Sequence, residues 1–85
     1  MDANTRQAII QNHIKFVLSV FGMDKKLYDI WETSTQINVE ANWIGNAQME
    51  FIDALAQRLG AKGYDVDVYK DGDTVIIDDA EIEEE

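Results

Sequence analysis

The sequence predicts a single small α+β domain, with N-terminal helices and a longer third helix packed on a small antiparallel sheet that ends in a β-hairpin. Apolar residues recur at helical spacing near the N-terminus and again between residues 46 and 60. Two alternating apolar stretches surround an Asp-Gly pair in the C-terminal third, which is a preferred hairpin signal. With 85 residues the chain makes one domain, and 46% hydrophobic residues are enough to form a core.

The first helix is predicted to run from Thr5 to Phe21. Asn4 is a candidate N-cap, with Gln7 three residues later in the capping-box arrangement, and Gly22 is a stop signal. Apolar side chains cover most of the circumference of this helix. It should therefore pack on two sides, against a sheet of the same chain or against another subunit.

A short second helix is predicted from Lys25 to Trp31, with Asp24 as its cap. Leu27 and Ile30 mark its buried face together with Trp31. After a polar loop, Ile37 and Val39 alternate with polar residues, which predicts a short strand.

An alternative to this strand remains open, because residues 38–44 could also begin a helix. The third helix is clearer. It is predicted to begin after Asn46 and to end at Gly60. Its apolar positions at helical spacing are Met49, Ile52, Leu55, Ala56 and Leu59.

The β-hairpin is predicted over residues 64–78, with Asp71 and Gly72 as its two turn residues. This register places Val68 opposite Val75, so that apolar side chains meet on one face at each step. On the other face it places Asp65 opposite Asp78, with Asp67 diagonal to that pair.

Charge is strongly segregated along the chain. The formal net charge is −10, and residues 63–85 contribute −9 of it, with ten acids and Lys70. The domain is predicted to span residues 1–79, followed by an acidic tail at residues 80–85. An acidic end of this kind repels nucleic acid and anionic lipid and attracts a basic surface. Direct binding to nucleic acid or to a membrane is therefore not expected.

The hairpin carboxylates have two interpretations. They form either a solvated outer face that blunts an edge strand or an anionic surface that meets a basic groove, in the extreme form as a mimic of a phosphate backbone. The predicted partner-binding residues are Asp65, Asp67, Asp78, Asp79 and Trp43, the last because Trp is enriched at binding hot spots.

No catalytic, cofactor or metal site is predicted. The chain has no Cys and one His, His13, for which packing is the ordinary role. The acids are not visibly set around an apolar cleft, so the protein is not expected to be an enzyme. Without a signal peptide or a long apolar stretch, a cytoplasmic location is expected.

In size, composition and segregated charge, the chain is similar to small acidic inhibitors carried by phages and other mobile elements. The acidic hairpin face and tail, together with this similarity of composition alone, predict a non-catalytic binding module that occupies a basic surface of a nucleic-acid-processing protein. The alternative is a structural or assembly protein that acts as a homo-oligomer, in particular a homodimer, through its apolar first helix.

Overall fold

Two helices and a four-stranded antiparallel sheet make up residues 3–79, the part of the chain that the computed structural model describes. The elements are α1 (Ala3–Val20), β1 (Tyr28–Glu32), β2 (Gln36–Ala41), α2 (Ala47–Ala61), β3 (Val66–Asp71) and β4 (Thr74–Asp79). The strand order is β1-β2-β4-β3, so two hairpins meet along β2 and β4. The α+β class is confirmed, with two helices instead of three. The predicted acidic tail lies outside the described residues.

The first helix begins earlier than predicted. Asn4 already lies within α1, so it is not the N-cap. Gln7, its expected capping-box partner, is buried instead, and its Nε2 donates to the Thr33 carbonyl over 3.0 Å. Gly22 does follow the helix, and its φ of +77° is the left-handed conformation that a glycine stop supplies.

The predicted second helix is wrong, because this segment is the edge strand β1. Asp24 closes only a single turn, in which its carboxylate accepts from the Lys26 N–H over 2.9 Å. The chain then pairs with β2, placing Ile30 opposite Val39. Aromatic and β-branched residues favour a strand here, and pairing in a sheet outweighs a weak local helical pattern. One consequence is that Trp31 is exposed instead of buried.

The β3–β4 turn lies one residue later than predicted. Its central residues are Gly72 and Asp73, and Asp71 pairs with Thr74. Gly72 has a φ of +62° while Asp73 has no positive φ, which matches a type II′ turn with glycine first. An Asp71-Gly72 turn of type I′ would have required positive φ at Asp71. The register moves by two residues, so every side chain keeps its predicted face.

The core lies between the helices and one face of the sheet, here called the inner face. Val75 and Ile77 of β4 face it, alongside Ile37 and Val39 of β2. The helices contribute Ile10, Ile14, Val17 and Leu18 from α1, and Phe51, Ile52, Leu55 and Leu59 from α2. The domain is therefore a two-layer sandwich whose second sheet face, here called the outer face, has no covering layer in residues 3–79.

Candidate protein interface

The centre of the outer face is an apolar and aromatic row that crosses all four strands. Strand pairing brings Trp31 of β1 beside Asn38 of β2, Asn38 beside Ile76 of β4, and Ile76 beside Tyr69 of β3. These four residues are here called the central row. Trp31 and Tyr69 are 44% and 40% exposed, which leaves two large aromatic surfaces in contact with solvent.

Carboxylates flank the central row on both sides. One neighbouring row carries Asp29, Glu40 and Asp71, with Thr74 between the last two. This is here called the first acidic row. The second acidic row, on the other side, carries Asp67 and Asp78 beside Gln36. The outer face thus holds five carboxylates around an apolar centre.

Two pairs of these carboxylates lie directly opposite each other on neighbouring strands. Asp29 pairs with Glu40 across β1 and β2, and Asp67 pairs with Asp78 across β3 and β4. Like charges directly across a sheet are destabilising. Staggered positions would display the same charge at lower cost, so the pairs are a feature that stability does not account for.

The predicted binding residues from the hairpin divide between the two faces. Asp67 and Asp78 lie on the outer face, as predicted, but they form the direct pair that had been expected between Asp65 and Asp78. Asp65 is exposed and directly precedes β3. Asp79 was expected at the acidic surface, and this is corrected. It faces the inner side and is only 3% exposed.

Asp79 is buried because it has a partner on α1. The Arg6 Nε donates to its Oδ2 over 2.6 Å, and the Arg6 Nη2 donates to its Oδ1 over 3.1 Å. The Arg6 guanidinium also lies over the Tyr64 ring, 4.7 Å from the ring centroid. A fork of two charge-assisted bonds fixes the N-terminal end of α1 to the last residue of β4. Asp79 therefore holds the fold together and does not face a partner.

Trp43 is half-buried at the opposite end of the molecule, in the β2–α2 loop. Its ring lies 5.2 Å from that of Phe51, and its Nε1 donates to the Asp73 carbonyl over 2.8 Å. Gln48 of α2 donates to the neighbouring Gly72 carbonyl over 2.8 Å. Trp43 and Gln48 together anchor the β3–β4 turn. A partner contact at Trp43 stays a prediction from the sequence, and the outer face does not include this residue.

Trp31, Asp29 and Glu40 belong to this surface although the sequence pattern did not predict them there. Two of them lie on β1, which was predicted to be a helix, so their common face with the hairpin was hidden. The available signal was short: Tyr28 and Ile30 lie on either side of Asp29, an alternation that fits a half-buried strand.

His13 is engaged in packing between the helices. The Arg58 Nε donates to its Nδ1 over 3.0 Å, and its ring lies 6.1 Å from that of Tyr64. Burial lowers the pKa of His13, and the positive charges of Arg58 and Lys62 lower it further. Because Nδ1 accepts a hydrogen bond, the imidazole is held neutral. Arg58 also covers the half-exposed Phe16 ring, at 4.1 Å.

Two depressions lie at the edge of the sheet near α1. A wide one of about 700 Å³ contains Lys25 and Lys26 beside Asp29 and Glu40, so positive charge offsets one end of the first acidic row. A narrower apolar groove of about 370 Å³ contains Leu27. In the second acidic row, Asp67 and Asp78 do not line the wide depression with Lys25 and Lys26.

Comparison of this chain with protein-family models, with curated proteins and with solved structures found no match. Within residues 3–79, no group of three or more His or acidic side chains is arranged to hold a metal ion. No helix in the same range is both long enough and apolar enough to cross a membrane.

Proposed function

We propose that this chain is a non-catalytic protein-binding module whose outer face occupies a basic surface of a nucleic-acid-processing protein. In this reading it acts as an inhibitor that mimics DNA, as phage-type acidic inhibitors do. The observation that carries the proposal is that two pairs of carboxylates lie directly opposite each other on neighbouring strands, Asp29 with Glu40 and Asp67 with Asp78.

Opposed carboxylates repel each other in the free protein. A cation that lies between them offsets this repulsion. A Lys or Arg of a partner that reaches such a pair removes the repulsion and adds two attractive contacts. The cost of the pairs is therefore recovered on binding. A surface needed only for solubility gains nothing from this arrangement.

The open geometry of the face supports binding rather than catalysis. Carboxylate-based acid–base chemistry requires two acids in different environments around a cleft that excludes water. The outer-face carboxylates instead lie on a sheet face that no other element covers within residues 3–79. Because rows of charge on a flat surface give long-range attraction, we expect fast, salt-sensitive association with a basic partner.

The test is affinity capture from a lysate of the native host, with two variants compared. In the first, Glu40→Gln, Asp67→Asn and Asp78→Asn neutralise the outer face. In the second, Glu50→Gln and Asp53→Asn remove charge from the exposed side of α2 and serve as the control. We expect the wild type and the control to retain a nucleic-acid-binding protein at low salt that the first variant loses.

Competition completes that experiment. The captured protein, once purified, should release labelled DNA or RNA when the wild-type chain is added, and should keep it when the neutralised variant is added. A partner retained equally by all three proteins, or one that binds nucleic acid and this chain together, would contradict the proposal.

A homo-oligomer is the second candidate. On α1, Phe16 and Val20 are 50% and 64% exposed, so part of the apolar surface of this helix is not used within the described residues. Light scattering over a wide concentration range tests it. A mass that rises to the dimer supports this candidate, and a constant monomer mass excludes it.

A further inference from the structure

Asn38 stands apart from the other residues of the outer face. It lies in the middle of the central row, between Trp31 and Ile76, and is only 7% exposed. Its side-chain amide makes no hydrogen bond within residues 3–79, although it keeps a small contact with solvent. Nearly buried amides normally have partners, because leaving one without any costs free energy. No buried side-chain N or O atom of the described residues lacks a partner, so the Asn38 amide keeps its solvent contact in the free protein. A polar group of a partner that reaches the outer face can take the place of that solvent.

The spacing of the outer face matches an α-helix laid across the strands. Residues two apart on a strand are about 6.5–7 Å apart, so the two acidic rows are separated by about 13 Å. An α-helix with its side chains is about 10–12 Å wide. A helix on the central row would therefore lie between the acidic rows, with either flank beside carboxylates.

The length of the central row also matches helical periodicity. Neighbouring strands are about 4.8 Å apart, so the row of four residues spans about 14 Å. Apolar residues one turn apart on a helix are about 5.4 Å apart, so about ten residues would follow the row from Trp31 to Tyr69. Both aromatic rings would then contact the apolar stripe of the helix.

We infer that the outer face binds an α-helix of the partner whose apolar stripe is bordered on both sides by Lys or Arg and contains one polar residue facing Asn38. The inference rests on the proposed function and specifies the partner that the same face takes. Charge complementarity with both acidic rows sets the flanks of the helix. Trp31 and Tyr69 set its apolar stripe.

The test uses three synthetic peptides of about 14 residues, each with the same numbers of Leu and Lys. The first places Leu on one helical stripe between Lys flanks. The second alternates Leu and Lys as a strand would, and the third scatters them. Titration of the wild-type chain by calorimetry at about 50 mM salt keeps electrostatic attraction strong. We expect the striped peptide to bind at least about tenfold more tightly than the other two.

Variants then locate the contact. Trp31→Ala is expected to weaken binding of the striped peptide by about tenfold, as truncation of a central aromatic contact does, and to leave the scattered peptide unchanged. Phe16→Ala, on α1, is the matched control and should bind all three peptides as the wild type does. Trp31→Phe serves as the second variant if the alanine substitution unfolds the domain.

Each outcome separates the inference from the proposed function. Equal binding of all three peptides would mean that charge alone attracts them, which overturns the inference and leaves the proposed function standing. Tightest binding of the alternating peptide would indicate strand addition at β1 or β3 and would also overturn it. If no peptide binds, the acidic face does not attract basic partners, and the proposed function fails as well.

Discussion

Neutralising one member of each opposed pair should stabilise the protein. In the variant with Glu40→Gln and Asp67→Asn, each change removes one repulsion and keeps the shape of the side chain. Opposed side chains on neighbouring strands have Cβ atoms about 4.5–5.5 Å apart. Two unit charges about 5.5 Å apart in a medium as polar as water repel by about 0.75 kcal/mol.

Salt sets the size of the effect. With a Debye length of about 30 Å at 0.01 M salt, the repulsion per pair is about 0.6 kcal/mol, and with about 3 Å at 1 M it falls to about 0.1 kcal/mol. The two substituted residues lie in different acidic rows, so their effects should add. Lys25 and Lys26 lie beside Glu40 and offset part of its repulsion. The variant should therefore gain up to about 1.2 kcal/mol at low salt and almost nothing at high salt.

Urea unfolding at both salt concentrations is the assay. A slope of about 1 kcal/mol per molar urea converts the low-salt gain into a midpoint shift of up to about 1.2 M. Asp53→Asn, on the exposed side of α2, controls for the loss of a negative charge anywhere on the domain. A destabilised variant, or a gain that is the same at both salt concentrations, would refute the view that the outer face carries unrelieved repulsion.

Three further predictions follow from contacts within the fold. Asp79→Asn should lower the free energy of unfolding by about 3 kcal/mol, because it removes the buried carboxylate that accepts from Arg6. Asp78→Asn, one residue away on the outer face, should not lower the free energy of unfolding. The urea midpoints of the two variants test this difference. Because the pKa of His13 is lowered in the folded protein, the unfolded chain binds the proton more readily. The free energy of unfolding should therefore rise with pH between that lowered pKa and the ordinary value near 6.5. In the His13→Gln variant, the urea midpoint should depend less on pH in this window. Trp43→Phe should lower the free energy of unfolding by about 1 kcal/mol, because the hydrogen bond from the indole to the turn is lost. The variant should still capture the basic partner. If it no longer captured the partner, the interface would lie at the β2–α2 loop.

The parts of the fold that the sequence predicts well are those where periodicity extends over many residues. Both long helices contain several turns of apolar spacing, so their existence was clear even though the cap at Asn4 was not. In the hairpin, alternation decided the faces. An error of one residue in the turn moved the register by two, which returned Asp67 and Asp78 to the same side.

The errors lie where the local pattern was short or the deciding contact was distant. Five residues from Tyr28 to Glu32 fit a helical and an alternating pattern equally, and only the pairing with β2 selects the strand. Alternation along β4 places Asp79 on the inner face, opposite to Asp78. The partner that allows its burial is Arg6, 73 positions away in the chain. No local pattern reports such a contact. The central row was hidden for the same reason, since it joins four strands.

The two Trp side chains provide the most direct test of the central claim, because they lie on different surfaces. Trp31 is on the outer face and Trp43 is in the β2–α2 loop, so the two indole N–H signals in a ¹H–¹⁵N spectrum report on each surface separately. The measurement is a titration of the labelled chain with its captured basic partner. We expect the Trp31 indole signal and the Asn38 side-chain amide signal to shift or broaden, while the Trp43 indole signal stays in place. A shift of Trp43 with Trp31 and Asn38 unchanged would contradict this expectation.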